Sequence, residues 1–405
     1  MGKALELEIK NEVLEIENFL SISRASVKFS DVSTLIGPQA SGKSVVVKAL
    51  YFFRDYVGDM FLSFASSTDD RRKYNSEKQI EFYDLFKGSD DEGYNFRLVY
   101  KFSDHQIEVE KVKRSRRLKI TVSPVLAKLV DRVRADYRKH LQSSAEKGNS
   151  FYPSFYRYMS SSEDIAKFYR SVPRTLFIPA SRAFFSTIQA NIFTFLSDSS
   201  SLDPLLVQFG RFLEAAKVDY NGGFRISGDK SKTERNYSLE AVICGQYIRD
   251  GDEDIIKTKW GKVPLQRSSS GQQEALPLLL AVSYYGKMKG HDNTTLIIEE
   301  PEAHLFPKAQ KQVLEAIVGI VRRSGVKVVF TTHSPYILAC LNNEIHRPID
   351  KDAQTISIGV SAYLVNEGDI SDIFDKEDLL VDTSRIDEVS EIIAREFVEH
   401  LDAKM

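Results

Sequence analysis

Residues 37–44 read Gly37-Pro38-Gln39-Ala40-Ser41-Gly42-Lys43-Ser44, a match to G-x-x-x-x-G-K-[ST], set between the apolar run Val32 to Ile36 and a helical pattern that opens at Lys43. Motif and setting agree. Glycines let backbone N–H groups turn inward around a phosphate, a helix N-terminus adds its positive end, and Lys43 would neutralise the outer oxygens while Ser44 holds Mg²⁺. Val46, Val47, Leu50 and Phe53 then recur at helical spacing, so the helix is expected to run to about Val57. Strand, glycine loop and helix together call for an α/β fold.

The rest of the chain supports that class. Val13 to Phe19 and Val27 to Phe29 read as short strands, Phe96 to Val122 alternates apolar and polar residues like an antiparallel sheet, and Pro124 to about Lys147 reads as one amphipathic helix. A short strand at Leu176 to Ile178 leads into Pro179-Ala180-Ser181-Arg182, with a helix expected through Leu196. Short strands return from Tyr237 to Leu265. Helix then alternates with strand: Gly271 to Met288, Thr295 to Ile298, Lys308 to Arg323, Val326 to Thr331 and Pro335 to Leu341, with an amphipathic closing helix at Arg385 to Leu401. Three regions follow: an N-terminal lobe at 1–123, a mostly helical insertion at 124–234, and a C-terminal lobe at 235–405.

With 405 residues, 42% of them hydrophobic, the chain is long enough for two or three structural units with a real core. Its net charge of -2 creates no global field toward nucleic acid or anionic lipid, so any such binding needs a local patch. Lys111 to Lys119, KVKRSRRLK, is the one candidate, with six basic residues in nine. It reads either as a contact for nucleic acid or an acidic partner, or as a solvated hairpin. Cys244 and Cys340 lie in apolar runs and are expected to be reduced, buried thiols. The apolar stretch Ala275 to Tyr285 is too short to cross a bilayer and the first residues lack a signal-peptide core, so a soluble, cytoplasmic protein is expected.

Three further segments carry chemistry. Leu296-Ile297-Ile298-Glu299-Glu300 delivers two carboxylates at the end of a buried strand, costly without a cation. Glu299 would sit nearer a Mg²⁺ ion and Glu300 would orient or deprotonate an attacking water. Ser268-Ser269-Ser270-Gly271-Gln272-Gln273-Glu274 opens a helix and forms either a second anion receptor or a plain serine cap. His333, in Thr331-Thr332-His333-Ser334-Pro335, follows a buried strand and could donate to a terminal phosphate.

In this order and spacing the segments resemble the ABC-type ATPase heads, most of all the branch that contains RecF, the SMC-type heads and the OLD-type ATPases. The resemblance implies an ABC-type, RecA-like P-loop ATPase head with an antiparallel β subdomain and a helical insertion. It makes Gly37 to Ser44 the Walker A loop, Ser270-Gly271-Gln272-Gln273 the signature, Glu299-Glu300 the Walker B acids, Glu302 to Leu305 the D-loop region and His333 the switch histidine. ATP would be held by Gly37, Pro38, Gln39, Ala40, Ser41, Gly42, Lys43 and Ser44, with Ser270, Gly271 and Gln273 coming from a second subunit. Lys43, Glu300 and His333 would be catalytic, and Ser44 and Glu299 would bind Mg²⁺. Departures from the pattern are Glu299 for the usual aspartate, Gln272 for the second signature glycine, and Phe306 at the D-loop aspartate position. Gln79 is the candidate for the Q-loop.

Because one subunit's Walker A and another's signature clamp one ATP in such heads, the resemblance implies a homo-oligomer, at least an ATP-dependent dimer. Arg182 lies in a stretch similar to the Y-I-P-A-x-R element of OLD-like ATPases, with a structural or nucleotide-near role, or that of an ordinary surface arginine. Only 72 residues follow His333, fewer than a Toprim nuclease needs. The chain therefore resembles ATPase subunits of bacterial two-gene antiphage systems, such as the AriA subunit of PARIS, which control a separate effector such as a Toprim nuclease. The alternative is a RecF- or SMC-like DNA-repair head that binds DNA directly.

Overall fold

The computed structural model describes residues 7–91, 94–112, 117–143, 151–188, 202–220, 225–226, 237–251, 253–287, 293–347, 358–383 and 395–396. The expected closing helix at 385–401, the helix between 189 and 196 and the polar stretch 221–236 fall wholly or mostly outside them.

An eleven-stranded sheet organises the chain. Its functional half is parallel, in the spatial order Val360–Asn366, Val32–Ile36, Lys327–Thr332, Thr294–Glu299, Arg174–Ile178. These strands are short, apolar and β-branched, and Val32–Ile36 is buried at every position, which is what a strand covered on both faces requires. Period two splits their side chains between two cores. Leu35, Phe177, Ile297 and Val329 join the cluster under the helix Lys43–Leu62. Ile36, Leu176, Ile178, Leu296, Ile298, Val328 and Phe330 join the other, with the helices Ser270–Lys287, Pro307–Ser324 and Pro335–Ile345.

The other half is antiparallel. Asp369–Asp372 pairs antiparallel with Val360–Asn366 and meets Ile22–Lys28 through a single pair, Asp369 with Arg24. Beyond lie Val13–Phe19, Phe96–Phe102, His105–Lys111 and Leu118–Val122, in antiparallel register. Phe19, Phe52, Phe82, Phe86 and Phe96 pack edge to face and stacked between this wing and the helices Lys43–Leu62 and Arg71–Leu85. Arg174–Ile178 comes from the 124–234 region, so that region contributes a strand to the central sheet as well as its helices.

A buried ionic knot ties the halves. Glu12 accepts hydrogen bonds from the Arg54 guanidinium, from Tyr100 Oη at 2.6 Å and from Lys327 Nζ at 2.9 Å. Arg54 also reaches the Asn293 carbonyl oxygen at 2.8 Å and Thr175 Oγ1 at 3.3 Å. Burial works to raise the Glu12 carboxyl, but the Arg54 and Lys327 charges outweigh it and bring it down to about 2.

One expectation is corrected. Cys244 is exposed, because it follows the short helix Leu239–Ile243 in a left-handed conformation, φ 51°, that turns it out of the apolar face. The basic run is interrupted at its start: Lys111 is 1% exposed and donates to the carbonyl oxygens of Asp91 and Tyr94. At the other end Lys119 lies 3.5 Å from Glu110, and residues 113–116 lie outside the described set. Within the run, Lys111 is therefore spent on the backbone of its own chain. Among the described residues no helix is long and apolar enough to cross a membrane.

Candidate active site

Strand register gathers the motifs. In the parallel half Ile36 pairs with Thr332, Leu35 and Glu299 both pair with Thr331, and Ile298 pairs with Ile178. The next residue along each strand is Gly37, His333, Glu300 and Pro179 respectively. Four segments far apart in the chain therefore leave the sheet at one carboxyl edge, where α/β folds place their ligands.

Gly42 stands at the start of the Lys43–Leu62 helix with φ 107° and offers no side-chain cap, which leaves the first-turn N–H groups to an external acceptor. Only glycine adopts that φ without strain, and a Cβ there would also stand 2.5 Å from the Ile22 side chain. At Gly37 a Cβ would meet the Val365 carbonyl oxygen at 2.0 Å. Pro38, Gln39, Ala40 and Ser44 are exposed, while Ser41 and Lys43 are buried. The Lys43 ammonium donates to the carbonyl oxygens of Gly37 (2.8 Å) and Pro38 (2.6 Å) and lies 3.4 Å from Ser41 Oγ. Burial pushes its pKa below the usual lysine range, opposed by the Glu300 and Glu302 carboxylates, so lysine and acids share one field.

The acid loop is held in a strained shape. Glu300 has φ 44° and His304 φ 58°, left-handed values uncommon outside glycine. The Glu300 N–H donates to the Thr331 carbonyl at 3.0 Å, fixing the loop to the neighbouring strand. Glu300 Oε1 faces His333 Nε2 at 3.4 Å, both side chains being partly exposed. Glu302, almost buried, accepts from Thr332 Oγ1 and from the His333 N–H, each at 2.7 Å, and so sets the histidine backbone. Its Oε2 is buried with no hydrogen-bond partner among the described residues.

The helix Ser270–Lys287 begins beside this loop. Ser269 caps it: its Oγ accepts from the Gln272 N–H at 3.4 Å, and Gln272 Oε1 accepts from the Ser269 N–H at 3.1 Å, a reciprocal capping box. Ser270 is exposed, Gly271 and Gln273 are partly exposed, and Gln273 Nε2 donates to the carbonyls of Gln266 and Ser268, each at 3.1 Å. A Cβ at Gly271 would stand 2.8 Å from the His304 carbonyl oxygen, so this helix start is pressed against the acid loop of its own chain. Gln79 does not join the site; its Oε1 accepts from the Leu118 N–H at 2.9 Å at the far edge of the sheet.

Sequence reasoning left Arg182 undecided, and Glu274 was not singled out. Arg182 is fully buried. Its Nη1 donates to the carbonyls of Pro179 (2.9 Å) and Glu299 (2.6 Å), its Nη2 to that of Glu300 (2.9 Å), and its Nε to that of Glu274 (3.1 Å). The Glu274 carboxylate in turn accepts the N–H groups of Arg182 and Ala183, both at 3.1 Å. Burial pushes the Arg182 pKa down, with Glu274 the largest opposing charge. The available signal was the Pro179-Ala180-Ser181-Arg182 stretch that follows the strand Arg174–Ile178.

The donor set suits Mg²⁺. Ser44 and Glu299 offer oxygens, and Glu302 keeps a buried oxygen unpaired. Among the described residues no three His, Cys, Asp or Glu side chains gather into a metal cage. Mg²⁺ is ordinarily held by one or two protein groups plus phosphates and water, a role that Ser44 and Glu299 would fill.

No curated protein matches the chain. Among solved structures it is similar to an SMC head bound to the C-winged helix domain of ScpA: 13% identity, TM-score 0.42, covering 90% of this chain and 97% of that one. It is also similar to an SMC head domain with an extended coiled coil bound to the C-terminal domain of ScpA, derived from Pyrococcus furiosus (14%, TM-score 0.42, 90% and 96%). The SMC head domain from Thermotoga maritima gives 13% identity and TM-score 0.38, over 91% and 98% of the chains. Residues 32–339, most of the chain, match the family described as "AAA domain, putative AbiEii toxin, Type IV TA system". With its glycine loop, acid strand and histidine strand on one parallel edge, the chain belongs to that AAA domain family and has a mixed α/β fold built on one large sheet.

Proposed function

We propose that the protein binds and hydrolyses ATP, and that it does so as an oligomer in which two copies share each nucleotide. The observation that carries this reading is the common edge: Gly37 to Ser44, Glu299, Glu300 and His333 leave neighbouring strands together, and Lys43 feels both Glu300 and Glu302. In this reading 1–123 and 235–405 are the two lobes of one head, and 124–234 is inserted between them.

Backbone N–H groups of Gly37 to Ser44 bind the phosphates, and Lys43 exchanges its loop carbonyls for the β and γ oxygens. Glu300 takes the proton of the attacking water, and His333, partly exposed beside it, donates to the γ-phosphate. Ser44 and Glu299 would hold Mg²⁺, which when bound offsets phosphate charge. Ser270, Gly271 and Gln273 would receive the γ-phosphate of a second copy. Support for that comes from the division of labour at the helix start, where Ser269 does the capping and leaves the exposed Ser270 available.

The same reading makes the protein a cytoplasmic sensor or switch subunit of a bacterial antiphage system, with a separate effector such as a Toprim nuclease. The family description, which names an AbiEii toxin and a Type IV TA system, supports a setting of this two-component kind. Phosphate release tests the chemistry. Wild type should turn over, Lys43→Ala should lose nucleotide binding, and Glu300→Gln should keep ATP while losing roughly 10²–10⁴ in kcat. Equally low rates for wild type and Glu300→Gln would end the ATPase reading.

A further inference from the structure

One buried side chain joins the signature helix to the acid loop. Arg182 spends its guanidinium on backbone carbonyls from three places: Pro179 at the end of its own strand, Glu299 and Glu300 on the acid loop, and Glu274 one turn into the helix that starts at Ser270. The Glu274 carboxylate closes the bracket by accepting the N–H groups of Arg182 and Ala183. Arg182 is 0% exposed, so no phosphate can reach it as the structure stands.

What it grips is unusual. Glu300 holds a left-handed φ of 44°, a conformation that persists only where its surroundings impose it. Those surroundings are the Thr331 carbonyl on its N–H side and Arg182 Nη2 on its carbonyl side. Meanwhile the helix start touches the same loop a second time, where Gly271 leaves no room for a Cβ against the His304 carbonyl. Any shift of the helix start must therefore move the loop that aims Glu300, or break the bracket. A lysine in place of Arg182 would bring a charge but not a planar fork able to hold several carbonyls at once.

We propose that Arg182, fixed by Glu274, is a positioning residue that transmits the placement of the signature helix to the backbone of Glu300, so that hydrolysis is licensed only when that helix is seated. This rests on the ATPase reading above and adds its regulation: ATP binding is left to the glycine loop, and the bracket governs turnover.

The test measures equilibrium ATP affinity and steady-state phosphate release on the full chain for wild type, Arg182→Lys, Arg182→Ala and Glu274→Gln. Arg182→Lys should lower kcat by about 10–100-fold while ATP affinity changes by less than about 3-fold. Free guanidinium at millimolar concentration should restore part of the Arg182→Ala rate and leave wild type unaffected. Wild-type kcat in Arg182→Lys, or a loss of rate that merely follows a loss of ATP binding, overturns the proposal. If the Arg182 variants do not fold, Glu274→Gln decides: lower kcat at unchanged ATP affinity supports the bracket, and unchanged kcat refutes it. A wild type that binds ATP without any turnover would instead remove the ATPase reading, and the proposal with it.

Discussion

Lys43 and Glu12 show how differently two buried charges are used. Lys43 is held by neutral carbonyls and a hydroxyl, an arrangement that an incoming phosphate would improve, as the proposed ATP binding requires. Glu12 is saturated by Arg54, Lys327 and Tyr100 and is structural. Its carboxyl lies at about 2 in the folded chain against an ordinary 4.5. A depressed folded pKa contributes stability that is full above the unfolded value and drains away as pH falls from about 4.5 toward 2. Glu12→Gln would leave the Arg54 charge buried and poorly paired, so it should cost roughly 3–5 kcal/mol at neutral pH in a denaturant titration, and flatten the acid limb between those two values. A variant as stable as wild type at pH 7 would mean the knot is not needed. The glycine loop, Glu299, Glu300 and His333 were legible in the sequence because each is a short motif at a strand end. Arg182 was legible only as a residue with a structural or nucleotide-near role, since its partners are carbonyls, which no sequence pattern records.

Elements were legible where one face or both faces are apolar. Val13–Phe19 and Val32–Ile36 fall where the pattern placed them, and the helices Ser270–Lys287 and Pro307–Ser324 are within a residue of expectation. Arg71–Leu85 was missed because its apolar stripe is thin: Tyr74, Lys78 and Phe82 are its buried residues, and Lys78 is buried only because it pairs with Asp55, Asp59 and Glu81. Val360–Asn366 was missed because its parallel partner, Val32–Ile36, lies more than three hundred residues away, and such pairing leaves no local trace. The contact between the helix that starts at Ser270 and the acid loop has its own test. Gly271→Ala gains about 1 kcal/mol of helix propensity but drives a methyl to 2.8 Å from the His304 carbonyl, so the helix or the loop must shift. Phosphate release should fall by roughly 10-fold at unchanged ATP affinity, and an unaffected rate would show that the helix start is free to move.

Across the whole molecule, the parallel half of the sheet bears the candidate chemistry and the antiparallel half widens it, joined by the ladder between Val360–Asn366 and Asp369–Asp372 and by the Glu12 knot. Within one chain Ser270 is exposed and Lys43 is buried on its own loop, a division that suits a nucleotide clamped between two copies. Binding would then favour the closed pair by its differential affinity, and hydrolysis would release it. Mixing two dead variants tests this most directly. Lys43→Ala retains a good Ser270, and Ser270→Arg retains a good glycine loop, so each alone should be inactive. Combined in equal amounts with Mg²⁺ and ATP they should recover about a quarter of wild-type phosphate release, since half the pairs are mixed and each mixed pair holds one intact site of two. Ser270→Arg fully active by itself, or a mixture no more active than the separate variants, would contradict a site shared between subunits.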